Sequence, residues 1–253
     1  MAAACEQHKV KLAIAHQTRY SPRLQMVRQL IEDGAIGTVL ELRGRGKEDS
    51  RGGGEDLWVL GSHVMNLIHT LGGEPLWCWA SVLQDGQPVT KEHVQPGAEG
   101  LGPLAGDTVQ AMYRLDSGAA AYFGSRRNAA GNRFGLQIYG SQGVLEILTG
   151  HLPAVYILQD PTWSPGRSGK AWVAVSSEGV GKPETLADGG LHGGNVLACR
   201  DLIAAIEEDR YPECNVYEAR MTIEMISAVF ESHRLGGPAK FPLQNRGNPL
   251  ELL

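Results

Sequence analysis

The chain has 253 residues, 42% hydrophobic and 20% charged, with 33 glycines and a formal net charge of −5. A chain of this size and composition buries a core without disulfide or metal staples. Its acidic balance gives no electrostatic ground for a nucleic acid or an anionic membrane as partner, and no apolar run approaches the roughly 18 residues that mark a membrane span.

The four cysteines, Cys5, Cys78, Cys199 and Cys214, stand far apart with no C-x-x-C pair. They read as reduced thiols of a cytoplasmic protein, and no metal site is expected. Met1-Ala2-Ala3-Ala4 lacks the basic start of a secretory signal.

In chain order, residues 1–8 read as the tail of a helix and Val10–Ala15 as a short buried parallel strand. Ser21 and Pro22 supply an N-cap and a first helical residue. Leu24, Val27, Leu30 and Ile31 then recur at helical spacing until Gly34. Thr38–Arg45 alternates as a strand. Gly52, Gly53 and Gly54 precede a helical stretch, Asp56–Leu71, whose apolar face carries Leu60, Val64, Leu67 and Leu71. Leu76–Leu83 is a strand, and 84–106 is a polar insertion. Thr108–Leu115, Ala119–Ser125, Phe134–Tyr139 and Val144–Leu148 read as successive antiparallel strands, with turns at 116–118 and 141–143. Residues 150–190 are irregular. Asn195–Glu208 and Tyr217–His233 close the chain as helices, with apolar positions at 197, 202, 203 and 206 and at 221, 225, 226 and 229. Strands framed by helices predict an α+β fold with the helices on one face of the sheet.

The glycine run and the helix behind it carry the most chemistry. Consecutive glycines reach positive φ and let a backbone approach a ligand closely. The helix start offers free N–H groups, and His63 can trade a proton near neutral pH. A tight turn and a core histidine satisfy the same letters. Arg19 lies just past a strand end, where its guanidinium can fork onto hydroxyl or carboxylate oxygens. Glu48 ends a strand just before the glycines. No cofactor cradle is recognisable. Gly100-x-Gly102-x-x-Ala105 fits a dinucleotide fingerprint by letter, but it contains Pro103 and precedes a strand instead of opening a helix.

Several segments, in order and at matching spacing, resemble the Gfo/Idh/MocA family of NAD(P)-dependent oxidoreductases. They are His16-Gln17-Thr18-Arg19-Tyr20-Ser21-Pro22, the turn Asp33-Gly34-Ala35-Ile36-Gly37-Thr38-Val39, Gly52-Gly53-Gly54 with Gly61-Ser62-His63, the hairpin Leu136-Gln137-Ile138-Tyr139-Gly140-Ser141-Gln142-Gly143, and Asn248-Pro249-Leu250. The resemblance implies a Rossmann domain followed by an open, mostly antiparallel mixed sheet that binds substrate. This chain then corresponds to a remnant helix and strand of the first domain (1–16) and to the substrate-binding and oligomerisation domain (17–253). The Gly-rich cofactor loop and a Glu-Lys-Pro segment with a catalytic lysine are not in it, so it reads as truncated. NAD or NADP would serve a full-length protein, and no cofactor is expected to bind this chain alone.

In the family the helix carries an Asp four residues before the His and another three after it, all on one face. Here those positions are Val59 and Asn66. Asn66 can hold a hydroxyl but cannot take a proton. Asp56 is seven residues before His63, about 10 Å along a helix axis. The resemblance and the residue chemistry together assign proton transfer to His63 and substrate contacts to Arg19, Glu48, Gly53, Gly54, Asn66 and Arg126. Arg126 and Arg127 lie beyond a strand near the family's substrate pocket and suit an acidic sugar.

The expected function is the substrate-binding part of an oxidoreductase acting by hydride transfer on a sugar, inositol or related polyol. It would be homo-oligomeric through the open sheet face. The alternative is a non-catalytic sugar-binding or assembly domain that has lost its cofactor domain, which the loss of both carboxylates favours. A Val10–Ala15 strand without βαβ neighbours would leave an exposed edge, so low solubility or oligomerisation is expected.

Overall fold

The computed structural model describes residues 1–98, 100–129 and 133–253. In chain order the elements are α1 (Ala2–His8), α2 (Pro22–Glu32), β1 (Val39–Arg45), α3 (Gly54–Val59), α4 (Gly61–Gly72), β2 (Pro75–Gln84), β3 (Gln87–Pro88), β4 (Gln95–Pro96), β5 (Pro103–Leu104), β6 (Thr108–Leu115), β7 (Ala120–Arg126) and β8 (Gly135–Gly140). There follow β9 (Gly143–Leu148), β10 (Val155–Leu158), α5 (Pro165–Ser168), β11 (Val173–Ser176), β12 (Gly179–Val180), α6 (Gly190–Glu207), α7 (Val216–Leu235) and β13 (Ala239–Lys240). The chain divides into two compact units. One comprises Met1–Val39 and Tyr139–Met221, the other Leu40–Ile138 and Thr222–Leu253.

The second unit is built on a mixed, mostly antiparallel sheet in the order β8-β1-β7-β6-β2-β13. β1 runs parallel to β7, with Leu42 opposite Ala121 and Gly44 opposite Phe123. The pairs β6–β7, β2–β6 and β2–β13 are antiparallel. Strands β7 and β8 were predicted as neighbours; β1 lies between them instead, a long-range pairing that local alternation does not encode.

Alternation along β6 buries Val109, Ala111, Tyr113 and Leu115 on one side. Helices cover that side. Gly44 leaves room for Val64 and Ile68 of α4, and the Tyr113 hydroxyl donates to the Met225 carbonyl of α7 at 3.0 Å. The opposite face is open, with Trp79 55% and Tyr122 37% exposed. A groove of about 530 Å³ crosses it over Gly124, between Arg45, Trp79, Met112 and Tyr122.

The predicted helix Asp56–Leu71 is two helices. Leu60 leaves ideal helical geometry (φ −113°, ψ −34°), and a Cβ at Gly61 would come within 2.9 Å of the Phe123 ring. The break therefore lets the chain seat against β7.

The first unit holds α1, α2, an antiparallel run β9-β10-β11-β12, and α6. Ser21 caps α2 as predicted: its Oγ accepts the Arg23 N–H at 3.2 Å, and Pro22 follows at the first helical position. Val10–Ala15 is not a strand. Ala13 makes one isolated antiparallel bridge with Asn215, Ile14 N–H donates to the Cys214 carbonyl at 2.8 Å, and Val10 is 55% exposed. With no parallel neighbours among the described residues, the apolar run has no ladder to join. Strands β10 and β11 lie inside the stretch predicted as irregular. α6 begins at Gly190, ahead of the predicted start. Its inward side is Gly194, Ala198 and Ala205, while Ile203 and Ile206 face solvent. Among the described residues no helix is long and apolar enough to cross a membrane.

Candidate functional site

The glycine bend of the second unit is held by a buried polar chain. Glu48 follows β1 in left-handed backbone (φ 60°) and is fully buried. Its carboxylate pairs with Arg45, lies 3.0 Å from Arg133 Nη2, and accepts the Arg126 backbone N–H at 3.1 Å. Its own N–H donates to Asp56 Oδ2 at 3.2 Å. Asp56, equally buried in the first turn of α3, also accepts the Ser125 hydroxyl at 2.5 Å. Ser125 Oγ in turn accepts the Gly53 N–H at 3.0 Å. One network thus ties the end of β1, the bend, the head of α3 and the end of β7. Buried carboxylates persist only when hydrogen-bonded or paired, and both are.

The glycines are needed for packing against the chain itself. A Cβ on Gly52 would collide with the backbone of Arg126 and Arg127, and one on Gly54 with the Ala105 carbonyl. Gly53 adopts φ 92°, and a Cβ there would meet the Gly106 carbonyl oxygen at 2.5 Å. The close approach read from the triple glycine is an approach to the backbone of 105–107 and 126–127.

His63 sits part-buried in the first turn of α4. Burial lowers its pKa from the ordinary 6.5, so the imidazole is neutral at pH 7. Val59, four residues earlier, ends α3 on the far side of the break. Asp56 also lies beyond the break, its Oδ2 committed to Ser125 and the Glu48 N–H. Asn66 is fully buried. Its Nδ2 donates to Thr222 Oγ1 of α7 at 3.3 Å, and its Oδ1 has no hydrogen-bond partner among the described residues. Arg126 is exposed beside the bend. Arg127 follows, and with Glu55, Gln84 and Gln95 it lines a small cavity of about 40 Å³.

The structure therefore gathers Glu48, Gly53, Gly54 and Arg126 into one cluster. His63 and Asn66 lie on the helix behind the break. Arg19 belongs to the first unit. It is 5% exposed, and its guanidinium lies 3.4 Å from Glu213 and 3.2 Å from Glu218 while donating to the Glu213 carbonyl at 2.7 Å. Those contacts hold the turn at 17–20 to the segment leading into α7.

Sequence reasoning passed over Asp56 and Ser125 as partners. The signal was present: Ser125 continues the buried register Ala121, Phe123, Ser125 of β7, and Asp56 is an acid in a first helical turn. Arg45 and Arg133 carried no local signal, because only the fold brings them to Glu48.

The Gly100-x-Gly102-x-x-Ala105 lettering does not form a dinucleotide-binding turn. The Gly100–Ala105 segment runs into β5 and β6 with no helix behind it, and Val10–Ala15 joins no sheet. The glycine run that does precede a helix, Gly52–Gly54 ahead of α3, is packed on the backbone of 105–107 and 126–127.

Residues 24–146 match the GFO/IDH/MocA C-terminal domain. Over that segment the chain is similar to the GFO/IDH/MocA family. A levoglucosan dehydrogenase of Pseudarthrobacter phenanthrenivorans is 28% identical over 156 residues, which are 51% of this chain and 40% of that protein. An NAD binding oxidoreductase from Klebsiella pneumoniae has the same fold at a TM-score of 0.69 and 19% identity, covering 94% of this chain and 68% of that one. A levoglucosan dehydrogenase in complex with NADH and levoglucosan gives 0.67 and 21%, with 92% of this chain and 66% of that one covered. The chain thus spans 40% of that curated relative's length and about two thirds of the two solved chains.

Proposed function

We propose that residues 17–253 form the substrate-binding and oligomerisation part of an NAD(P)-dependent oxidoreductase acting by hydride transfer on a sugar, inositol or related polyol. Residues 1–16 are then a remnant of its dinucleotide-binding domain. The observation that carries the proposal is the Gly53–Ser125–Asp56–Glu48 network. It fixes the bend ahead of the neutral His63 within the segment that matches the family. The polyol class is supported by a relative named for levoglucosan and by a solved relative holding levoglucosan with NADH.

In this reading His63, kept neutral by its burial, accepts the proton of the reacting hydroxyl. Gly53 and Gly54 shape the bend, Glu48 positions Arg126 through its backbone N–H, and Arg126 faces substrate. Asn66, in place of a carboxylate, is confined to hydrogen bonding. Arg19 supports the first unit and does not touch substrate. NAD or NADP serves the full-length protein and does not bind this chain alone. The open sheet face, with Trp79 and Tyr122 exposed, takes a second copy of the chain, and the protein is cytoplasmic.

A second reading, a non-catalytic sugar-binding or assembly domain, is favoured by one observation: Val59 and Asn66 stand where the family has carboxylates. Polyol binding is common to both readings. Thermal unfolding in the presence of levoglucosan, myo-inositol and sorbitol tests it. A ligand at 100 times its Kd stabilises by about 2.7 kcal/mol. A midpoint that none of the three raises removes both readings.

A further inference from the structure

The glycine bend is surrounded by basic residues, and the ion pairs around it are unevenly distributed. Glu48 is taken by Arg45 and Arg133. Asp49 is taken by Arg51 at 3.1 Å and Lys47 at 3.5 Å, and the Arg51 contact holds its pKa at about 2. Glu48 and Asp49 thus serve two cations each, while Asp56 is held by the Ser125 hydroxyl and the Glu48 N–H. Arg126 and Arg127 make no ion pair among the described residues. Both are nevertheless fixed in place. The Arg126 N–H is bound to Glu48, the Arg127 N–H donates to the Asp107 carbonyl at 2.8 Å, and the Asn128 N–H donates to the Asp49 carbonyl at 2.9 Å. The absent Cβ of Gly52 lets the bend press directly on the backbone of the two arginines.

The Arg126 side chain is exposed at this rim. Arg127 Nε is buried and has no hydrogen-bond partner among the described residues, a costly state for a charged group unless something completes it. Glu55 lines the same small cavity without pairing to Arg127. A guanidinium fork matches a carboxylate in two parallel hydrogen bonds and is poorly used by a lone hydroxyl. Two guanidinium groups on an anchored backbone, neither in an ion pair among the described residues, point to a negatively charged ligand.

We infer that the substrate of this site carries a carboxylate, as in an aldonate or uronate, and that Arg126 with Arg127 binds it beside the bend. The inference rests on the polyol reading above and narrows it. The test is calorimetric titration of the intact chain with gluconate and with sorbitol, which differ in a carboxylate against a hydroxymethyl group, together with acetate. Wild type is expected to bind gluconate at least about tenfold more tightly than sorbitol at low salt, by one charge-assisted contact, with the ratio shrinking as salt rises. Arg126→Gln, at an exposed position that should not disturb folding, is expected to bring the ratio to within about threefold.

Sorbitol binding as tightly as gluconate overturns the inference and leaves the polyol reading standing. So does a ratio that survives in Arg126→Gln. Acetate competing as well as gluconate reduces the site to a bare anion contact and also overturns it. Failure of both sugars to bind removes the polyol reading, and the inference falls with it.

Discussion

Ser125 donates its hydroxyl to Asp56 Oδ2 at 2.5 Å while its oxygen accepts the Gly53 N–H at 3.0 Å. A single buried hydroxyl thereby serves one carboxylate oxygen and a backbone donor that have no access to water. Ser125→Ala leaves both short of a partner. Each unsatisfied buried group costs about 1–3 kcal/mol, so a loss of roughly 2–4 kcal/mol is expected in urea unfolding. A change under about 0.5 kcal/mol would mean that the network does not hold the bend.

Gly53 and Gly118 both have positive φ, 92° and 88°, but a Cβ on Gly53 meets backbone while one on Gly118 meets nothing within 4 Å. Gly118→Ala should cost only the conformational term, about 1–2 kcal/mol. Gly53→Ala adds a clash that only backbone movement relieves, about 1–3 kcal/mol more. Equal losses in the two variants, read from thermal midpoints, would show that the bend has slack.

Much of the second unit was legible because its strands alternate cleanly and its turns carry Gly at positive φ; Thr108–Leu115 was placed to the residue. The parallel seat of β1 was not, since register between distant strands is set by tertiary packing. Val155–Leu158 and Val173–Ser176 are too short and too close to Pro, Gly and Ser to stand out. The early start of α6 was hidden by glycines at 193 and 194, which lower helix propensity. The structure gives their reason: a Cβ on Gly193 would press on His151 at 2.9 Å, and one on Gly194 on the Gln17 side chain at 2.5 Å. In the candidate site, residue types were legible and burial was not. Glu48, in the charged run Lys47-Glu48-Asp49, gave no sign that Arg45 and Arg133 would cover it.

Arg19→Met should destabilise the first unit. Removing one partner of a buried pair costs about 3–5 kcal/mol. Glu213 and Glu218 are 30% and 26% exposed, so solvent screening cuts the expected loss to roughly 1–3 kcal/mol. Polyol affinity should be unchanged. Unaltered stability with lost affinity would return Arg19 to the substrate contacts.

His63 has a folded pKa below its ordinary 6.5 because burial disfavours the imidazolium. The unfolded chain therefore takes up a proton that the folded chain resists. Stability attributable to His63 is intact above pH 6.5 and is lost as pH falls through the folded value. Urea midpoints for wild type and His63→Gln between pH 8 and 5 should converge on the acid side, wild type falling more steeply. Parallel curves would place His63 in solvent.

Trp79, more than half exposed on the open face beside Tyr122, should be covered in solution by a second copy. Light scattering of wild type should report an oligomer, and Trp79→Asp should shift the mass toward the monomer. A monodisperse wild-type monomer would leave that face unassigned.

The central claim is that the bend and the helix behind it hold a polyhydroxylated ligand through His63. Calorimetric titration of levoglucosan, sorbitol and gluconate into wild type and His63→Ala, with circular dichroism to confirm the fold, tests it most directly. At least one ligand should bind wild type, and its affinity should drop at least about tenfold in His63→Ala, the loss of roughly one good hydrogen bond. Equal affinity in the two proteins, or no binding of any ligand to wild type, would contradict the claim.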